Sequence, residues 1–293
     1  MEKRTADQDF AQMIVERLEA GTTPWQREWN VNEALCRPFH NVVSDKPYKG
    51  ANVVRLWIAS DKYGYTDPRF ITYKQAAEHG WQVKKGSKGT YISFFKPVIK
   101  EQENDEGETE QLSYFAHRGY TVFNAQQIEG IDPLPEPERF EWDPVELGEA
   151  ILANSGAKIT HSEGADGCSY RPALDDIVLP SKSLFKSAAG YYSAAIHELA
   201  HWTGADHRLA RKLTTDHGRE DYAREELRAE IASWMISTAT GLPFSPDNHA
   251  AYVAGWIKAI KNDFREIFRA CADAERIKEY ILFYLPSESK KVA

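Results

Sequence analysis

"HELAHWTGADH", residues 197–207, brings three histidines, one glutamate and one glycine into a short run. The surrounding segment is rich in Ala and Leu and reads as a helix from about Ser187 to Thr203. On a helix, His197 and His201 are four positions apart. That spacing stacks both imidazoles on one face, able to grip a single cation. Glu198 sits about 100° round from His197, beside the open coordination position. There it could take a proton from water and return it to a leaving group. Neutral imidazoles with a carboxylate suit Zn²⁺, and they also bind Mn²⁺ or another divalent first-row metal. With nine His and 27 Glu in 293 residues, this pattern is expected by chance only roughly 0.02 times. The stretch is therefore read as a metal-binding helix.

A catalytic zinc normally has three protein ligands and an open position. His207 would complete HExxHxxGxxH, with Gly204 ending the helix and letting the chain turn back. That pattern resembles the metzincin proteases, which add a methionine turn beneath the metal. Here Met235 is the methionine available, and it lies in EIASWMIST, a helix interior with no turn residue before Gly241. The alternative comes from REELRAEIASWM, where Glu226 and Glu230 share a helical face. This run resembles the second ligand helix of gluzincins. The resemblance implies Glu226 on the metal and Glu230 as the acid that accepts the other ring N–H of a ligand histidine. Glu225, adjacent but on another face, is the fallback. Glu226 is preferred to His207 as third ligand.

Composition frames this site. Of the 293 residues, 42% are hydrophobic and 12% aromatic, enough for packed cores. No apolar run is long enough to span a membrane, so no membrane partner is expected. The first residues, MEKRTADQDFAQMIVERLEAG, are charged and amphipathic and lack the apolar core of a signal peptide. Cys36, Cys168 and Cys271 are widely spaced and odd in number, which gives no disulfide framework. A cytoplasmic protein is expected.

The net charge of −8 argues against nucleic acid, but its distribution does not. Residues 20–100 carry 13 Lys/Arg against 6 Asp/Glu, and residues 101–110 carry six acids and no base. From Pro133 onward 19 basic residues face 25 acidic ones. A basic N-terminal region is thus set apart from an acidic remainder. Within it, GTTPWQREW places Trp25 and Trp29 around Arg27. KPYKGAN places Tyr48 between Lys46 and Lys49, and VKKGSKG presents Lys84, Lys85 and Lys88. Interleaved cations and aromatic rings suit single-stranded DNA, whose phosphates are neutralised and whose bases stack.

The pattern along the chain is α+β. Asp9 is expected to cap a helix through Ala20, stopped by Gly21. Strands are expected near 90–99 and 119–125, and EQENDEGETEQ between them reads as a hairpin loop. IDPLPEPERF alternates three prolines and reads as a stiff linker. The expected division is a domain at 1–132, a linker at 133–140 and a domain at 141–293. The second is mostly helical, with helices near 143–153, 187–203 and 219–240 and a short strand at Ile177–Leu179. An amphipathic tail follows, with Tyr252, Trp256 and Ile260 on one face and Phe264 and Phe268 continuing it.

Together GTTPWQREW, KPYKGAN, DPRFITYKQA, GWQVKKGSKG, VFNAQQIEG, YYSAAIHELAHWTG, RLAR and EELRAEIAS resemble the ArdC family of plasmid and phage antirestriction proteins, over nearly the whole chain. The resemblance implies an N-terminal single-stranded-DNA-binding domain joined to a mainly helical, zincin-like metallopeptidase domain of minigluzincin type. Similar N-terminal domains occur in conjugative primases of the TraC type. It further implies protection of incoming plasmid DNA from type I restriction during conjugation. His197 and His201 match the metal histidines, Glu198 the base, and Glu226 and Glu230 the downstream acids. A restriction-enzyme subunit is the obvious protein substrate. The other readings are a DNA-coating protein whose metal is structural, and a metal hydrolase acting on the bound DNA.

Overall fold

Thr5 and Gln8 open the first helix by capping each other. The Gln8 N–H donates to the Thr5 hydroxyl at 3.2 Å, and the Thr5 N–H donates to the Gln8 side-chain oxygen at 2.8 Å. Helix α1 therefore spans Ala6–Glu19, starting ahead of the expected Asp9 cap. Asp9 lies in the first turn instead, where its charge complements the helix dipole. Gly21 follows in the left-handed region at φ 76°, as the expected stop. The computed structural model describes residues 4–23, 38–103, 109–134, 144–165, 167–213, 220–242, 244 and 250–285.

After α1 come β1 (His40–Asn41), α2 (Ala51–Tyr63), β2 (Arg69–Thr72), α3 (Tyr73–Glu78), β3 (Gln82–Val83), β4 (Thr90–Glu103), β5 (Thr109–Asn124) and β6 (Ile128–Glu129). One sheet has the order β1-β2-β5-β4, with β1 and β2 parallel and the other pairs antiparallel. β3 and β6 pair separately. The strands expected near 90–99 and 119–125 are the inner part of a longer hairpin whose ladder runs out to Glu103 opposite Thr109. Much of the acidic stretch read as loop is thus strand, because cross-strand pairing continues while each backbone group finds a partner. Residues 104–108 lie outside the described residues.

The C-terminal half contains α4 (Pro144–Asn154), β7 (Lys158–Ser162), β8 (Ser169–Arg171), β9 (Asp176–Pro180), α5 (Ala188–Trp202), α6 (Glu220–Thr240), α7 (Ala250–Asn262) and α8 (Glu266–Phe283). Its small sheet has the order β7-β9-β8, with β8 antiparallel on one edge. The expected amphipathic tail is two helices. The Asp263 carboxylate accepts the Arg265 N–H at 3.0 Å and restarts the chain as α8. The architecture is α+β throughout, with the helices dominating the second half.

Most of the expected linker, residues 135–140, lies outside the described residues. On either side of it runs one apolar cluster, from Phe10 to Leu285. Phe10 of α1 meets Phe268 of α8 at 5.7 Å between ring centroids, and Trp57 of α2 meets Trp234 of α6 edge-on at 5.4 Å. The N-terminus of α2 has no side-chain cap of its own, and the Gly50 N–H donates to Glu275 of α8 at 3.2 Å.

A buried charge sits in this seam. Arg55 is 5% exposed, its guanidinium 2.5 Å from the Asp7 carboxylate and 4.5 Å from the Phe10 ring centroid. Burial pushes the Arg55 guanidinium below its ordinary range, and Asp7 partly restores it. Asp7→Ala would strand that charge. It is expected to cost about 3–5 kcal/mol in urea unfolding, the usual loss when one partner of a buried pair is removed. Arg55→Met keeps the packing between the rings and leaves Asp7 paired with His117 at 3.1 Å. It should cost clearly less, and equal losses from the two variants would contradict this account.

Candidate metal centre

Ser187 caps α5, its hydroxyl accepting the Gly190 N–H at 3.1 Å. Ala195, Ile196, Leu199 and Ala200 are fully buried and fix one side of the helix in the core. His197 and His201 project from the other side into a cleft of about 1290 Å³. The facing wall is α6, anchored by the fully buried Leu227, Ala229 and Ile231. Glu226 and Glu230 project from it into the same cleft and are 4% and 1% exposed.

Three donor groups converge there. His197 Nε2 and His201 Nε2 are 3.1 Å apart, and each lies 3.3–3.4 Å from a Glu226 oxygen. Ligands held at zinc's usual ~2.0–2.1 Å in a tetrahedron are separated by about 3.3 Å. The three groups therefore stand one tetrahedral edge apart, and these side chains fit a small divalent cation. Among the described residues no other group of His, Cys, Asp or Glu meets in this way. His207 is elsewhere, with its side chain 67% exposed and its ring 3.5 Å from Asp175.

The carboxylates behind the histidines differ from each other. Glu225, the fallback ligand, lies 3.4 Å from His201 Nδ1, on the far side of that ring from Glu226. Arg211 holds it at 2.8 Å. Glu230 stands 3.8 Å from His197 Nδ1, longer than a direct hydrogen bond. Burial pushes both imidazoles down. The Glu226 contact nonetheless carries His197 above its ordinary value, and contacts with Glu225 and Glu226 carry His201 well above it. Burial likewise pushes Glu226 up, but the two imidazoles outweigh it and hold the carboxyl far below the usual range.

Glu198 stays outside the trio. It is 9% exposed, and its Oε2 accepts the Tyr170 N–H of β8 at 2.6 Å. β8 forms the wall of the cleft opposite α6, and Leu184 and Phe185 continue it with apolar surface. Tyr222, one helical turn before Glu226, lines the cleft as well. Burial first, then contacts with Tyr252 and Glu226, raise its phenol well above the ordinary value. Tyr170, Tyr222 and Arg211, and the place of Glu225 behind His201, were missed in the sequence. The one signal was RLAR, which is visible as a motif but carries no chemistry until the fold shows what it touches.

The expected DNA contacts scatter. Trp25, Arg27 and Trp29 lie outside the described residues. Lys46, Lys84, Lys85 and Lys88 are exposed, with the Lys84 ammonium donating to the Gln126 carbonyl at 2.9 Å. Lys49 is exposed and paired with Glu279. The expectation for Tyr48 is corrected. Its ring is 6% exposed in the core and its hydroxyl donates to the Phe70 carbonyl at 3.3 Å, so it offers no face to a base. An aromatic pair that was not anticipated stands on the hairpin. Phe94 and Tyr120 are 43% and 41% exposed and meet edge-on at 5.8 Å. Arg118, opposite Phe94 in the ladder, is exposed on the same face. Among the described residues no helix is long and apolar enough to cross a membrane.

Two family models match this chain. The N-terminal domain of anti-restriction factor ArdC covers residues 4–123, and a zincin-like metallopeptidase covers residues 146–273. The crystal structure of the antirestriction ArdC protein from R388 plasmid in its metal-free form is 36% identical with a TM-score of 0.77, over 95% of this chain and 97% of that one. Its Mn(II)-bound form is 35% identical with the same TM-score of 0.77, over 96% and 98%. The DNA primase TraC of Escherichia coli is 43% identical over 96% of this chain, which spans 27% of that primase's length. End-to-end likeness to a solved antirestriction protein, with the converging His and Glu side chains inside the zincin-like segment, makes this chain a member of the ArdC antirestriction family.

Proposed function

We propose that this protein binds single-stranded DNA with its N-terminal half and holds a divalent metal at a peptidase site in its C-terminal half. In this reading it protects incoming DNA from type I restriction in the cytoplasm during conjugation. The observation that carries it is the trio His197, His201 and Glu226 at tetrahedral spacing, with Glu198 alongside. Two imidazoles and a carboxylate favour Zn²⁺, and the Mn(II) form of the R388 relative makes Mn²⁺ the second choice. When bound, the metal supplies Lewis acidity to a peptide carbonyl and to attacking water. The division into residues 1–132 and 141–293 is part of the same proposal.

The protein's own groups do the rest. Glu198 Oε2 is held by the Tyr170 N–H, which leaves Oε1 to take the water proton and pass it to the departing amine. Glu225 accepts from His201 Nδ1, fixing the tautomer that turns Nε2 to the cation. Glu230 stands in the corresponding place behind His197. β8 is an edge strand along the cleft, so an extended peptide can reach the backbone groups left open there beside the Tyr170 N–H that Glu198 holds. A restriction-enzyme subunit is the proposed protein substrate. Phe94, Tyr120 and Arg118, with Lys84, Lys85 and Lys88, supply rings and cations suited to unpaired bases and phosphates.

That aromatic and basic surface does not depend on the metal, which favours a second reading: a coat on the entering strand, with a structural metal. Glu198→Ala separates the two. Under the peptidase reading it lowers metal-dependent protein cleavage by about 10²–10⁴-fold and abolishes antirestriction. Metal content and DNA binding stay as in the wild type. Full antirestriction by Glu198→Ala would leave only the coat.

The electrostatics give a pH test. Both imidazoles bind protons more tightly than usual, so protons compete with the cation through a window beginning above about pH 6.5. Affinity is greatest above that window and falls as the pH drops through it, with protons released on binding. Titration calorimetry between about pH 5.5 and 8.5 in buffers of different ionisation heat reads both effects. A pH-independent affinity without proton release would contradict the assignment.

A further inference from the structure

The RLAR segment, residues 208–211, follows the helix that carries His197 and His201. We infer that it is a two-armed brace, in which Arg208 holds the wall that orients Glu198 and Arg211 holds the wall that backs His201. Both are positioning residues, and the Arg211 arm rests on the metal-site reading.

The Arg208 arm ties β8 to the end of α5. Its Nε donates to the Trp202 carbonyl at 2.6 Å, and the guanidinium lies 3.8 Å from the Trp202 ring centroid. The same group clasps the Asp175 carboxylate through both Nη atoms and reaches the Tyr170 hydroxyl at 3.3 Å. The Tyr170 hydroxyl in turn donates to Asp175 at 2.8 Å. Tyr170 is the residue whose backbone N–H holds Glu198 Oε2. Arg208 therefore sets the distance between the strand and the helix that the base bridges.

The Arg211 arm ties α6 to the same helix end. Nη1 donates to the Thr203 hydroxyl at 2.8 Å and Nη2 to the Ala200 carbonyl at 2.7 Å. Nη2 also reaches Glu225 at 2.8 Å, and Glu225 faces His201 Nδ1. Gly204 makes room for this crossing. A Cβ there would stand 3.0 Å from Arg211 Nη2, 2.7 Å from Leu213 Cδ2 and 3.0 Å from the His201 carbonyl oxygen. Gly204 does not use the left-handed region, so the missing side chain is what this position requires.

The two arms share no partner residue. Each needs a planar fork that donates to a carboxylate and a backbone carbonyl together, which a lysine ammonium cannot reproduce. Base orientation and metal affinity should therefore separate. Arg208→Lys and Arg211→Lys are compared by Zn²⁺ affinity and by hydrogen exchange of the Tyr170 amide, with apo-protein unfolding as the fold control. Arg211→Lys is expected to weaken Zn²⁺ binding by about 10–100-fold with Tyr170 exchange unchanged. Arg208→Lys is expected to speed Tyr170 exchange by about fivefold to tenfold with Zn²⁺ affinity unchanged. Arg208→Gln and Arg211→Gln, which also lack the charged fork, should reproduce the respective effects and serve if a Lys variant fails to fold. Both readouts moving together in each variant, or neither moving, would overturn the brace. A wild type that binds no metal would remove the metal reading and the Arg211 arm, while Tyr170 exchange would still decide the Arg208 arm.

Discussion

Two imidazole nitrogens 3.1 Å apart, each facing the same carboxylate, are the constraint around which the cleft is built. Lone pairs held that close repel unless a proton or a cation lies between them. The separation is maintained by packing, since α5 and α6 each bury a full apolar side and cannot drift apart without opening the core. The site is in this sense a product of helix packing, with the donor atoms at a place where polar side chains replace apolar ones.

The neighbouring groups serve that constraint. Glu225 and Glu230 stand behind the two rings, and Arg211 keeps Glu225 from turning elsewhere. Glu198 is held off the trio by a strand backbone, which leaves it beside the three donor groups as the proposed base. The N-terminal half reaches the same machinery, because Trp57 packs on Trp234 of the helix that carries Glu226. The proposed DNA surface and the proposed metal site are therefore parts of one packed body.

What the sequence revealed follows from the range of each interaction. His197 with His201, and Glu226 with Glu230, are one-turn relations within single helices, so periodicity alone displays them. The boundaries of α5 and α6 were legible for the same reason. β7 and β8 were not, because both are short and largely exposed and lack the alternation that marks a strand. Asp9 was mistaken for a cap because Thr5 with Gln8 makes the better reciprocal pair. Tyr48 sits between two lysines in the chain, yet its ring turns into the core while the ammonium groups stay outside. Arg208 and Arg211 were the least legible, since they lie in an irregular turn with no periodicity to read, and their partners sit on other elements, from Trp202 close by to Tyr170 and Asp175 well upstream.

The identity of the metal ligands decides the rest. It is tested most directly by a crystal structure of the Zn²⁺-loaded protein with anomalous data at the zinc edge. The expected result is one strong peak about 2.0–2.2 Å from His197 Nε2, His201 Nε2 and a Glu226 oxygen, with Glu225 still on Arg211 and His207 remote. A peak coordinated by His207 or Glu225, or no peak in this cleft, would contradict it.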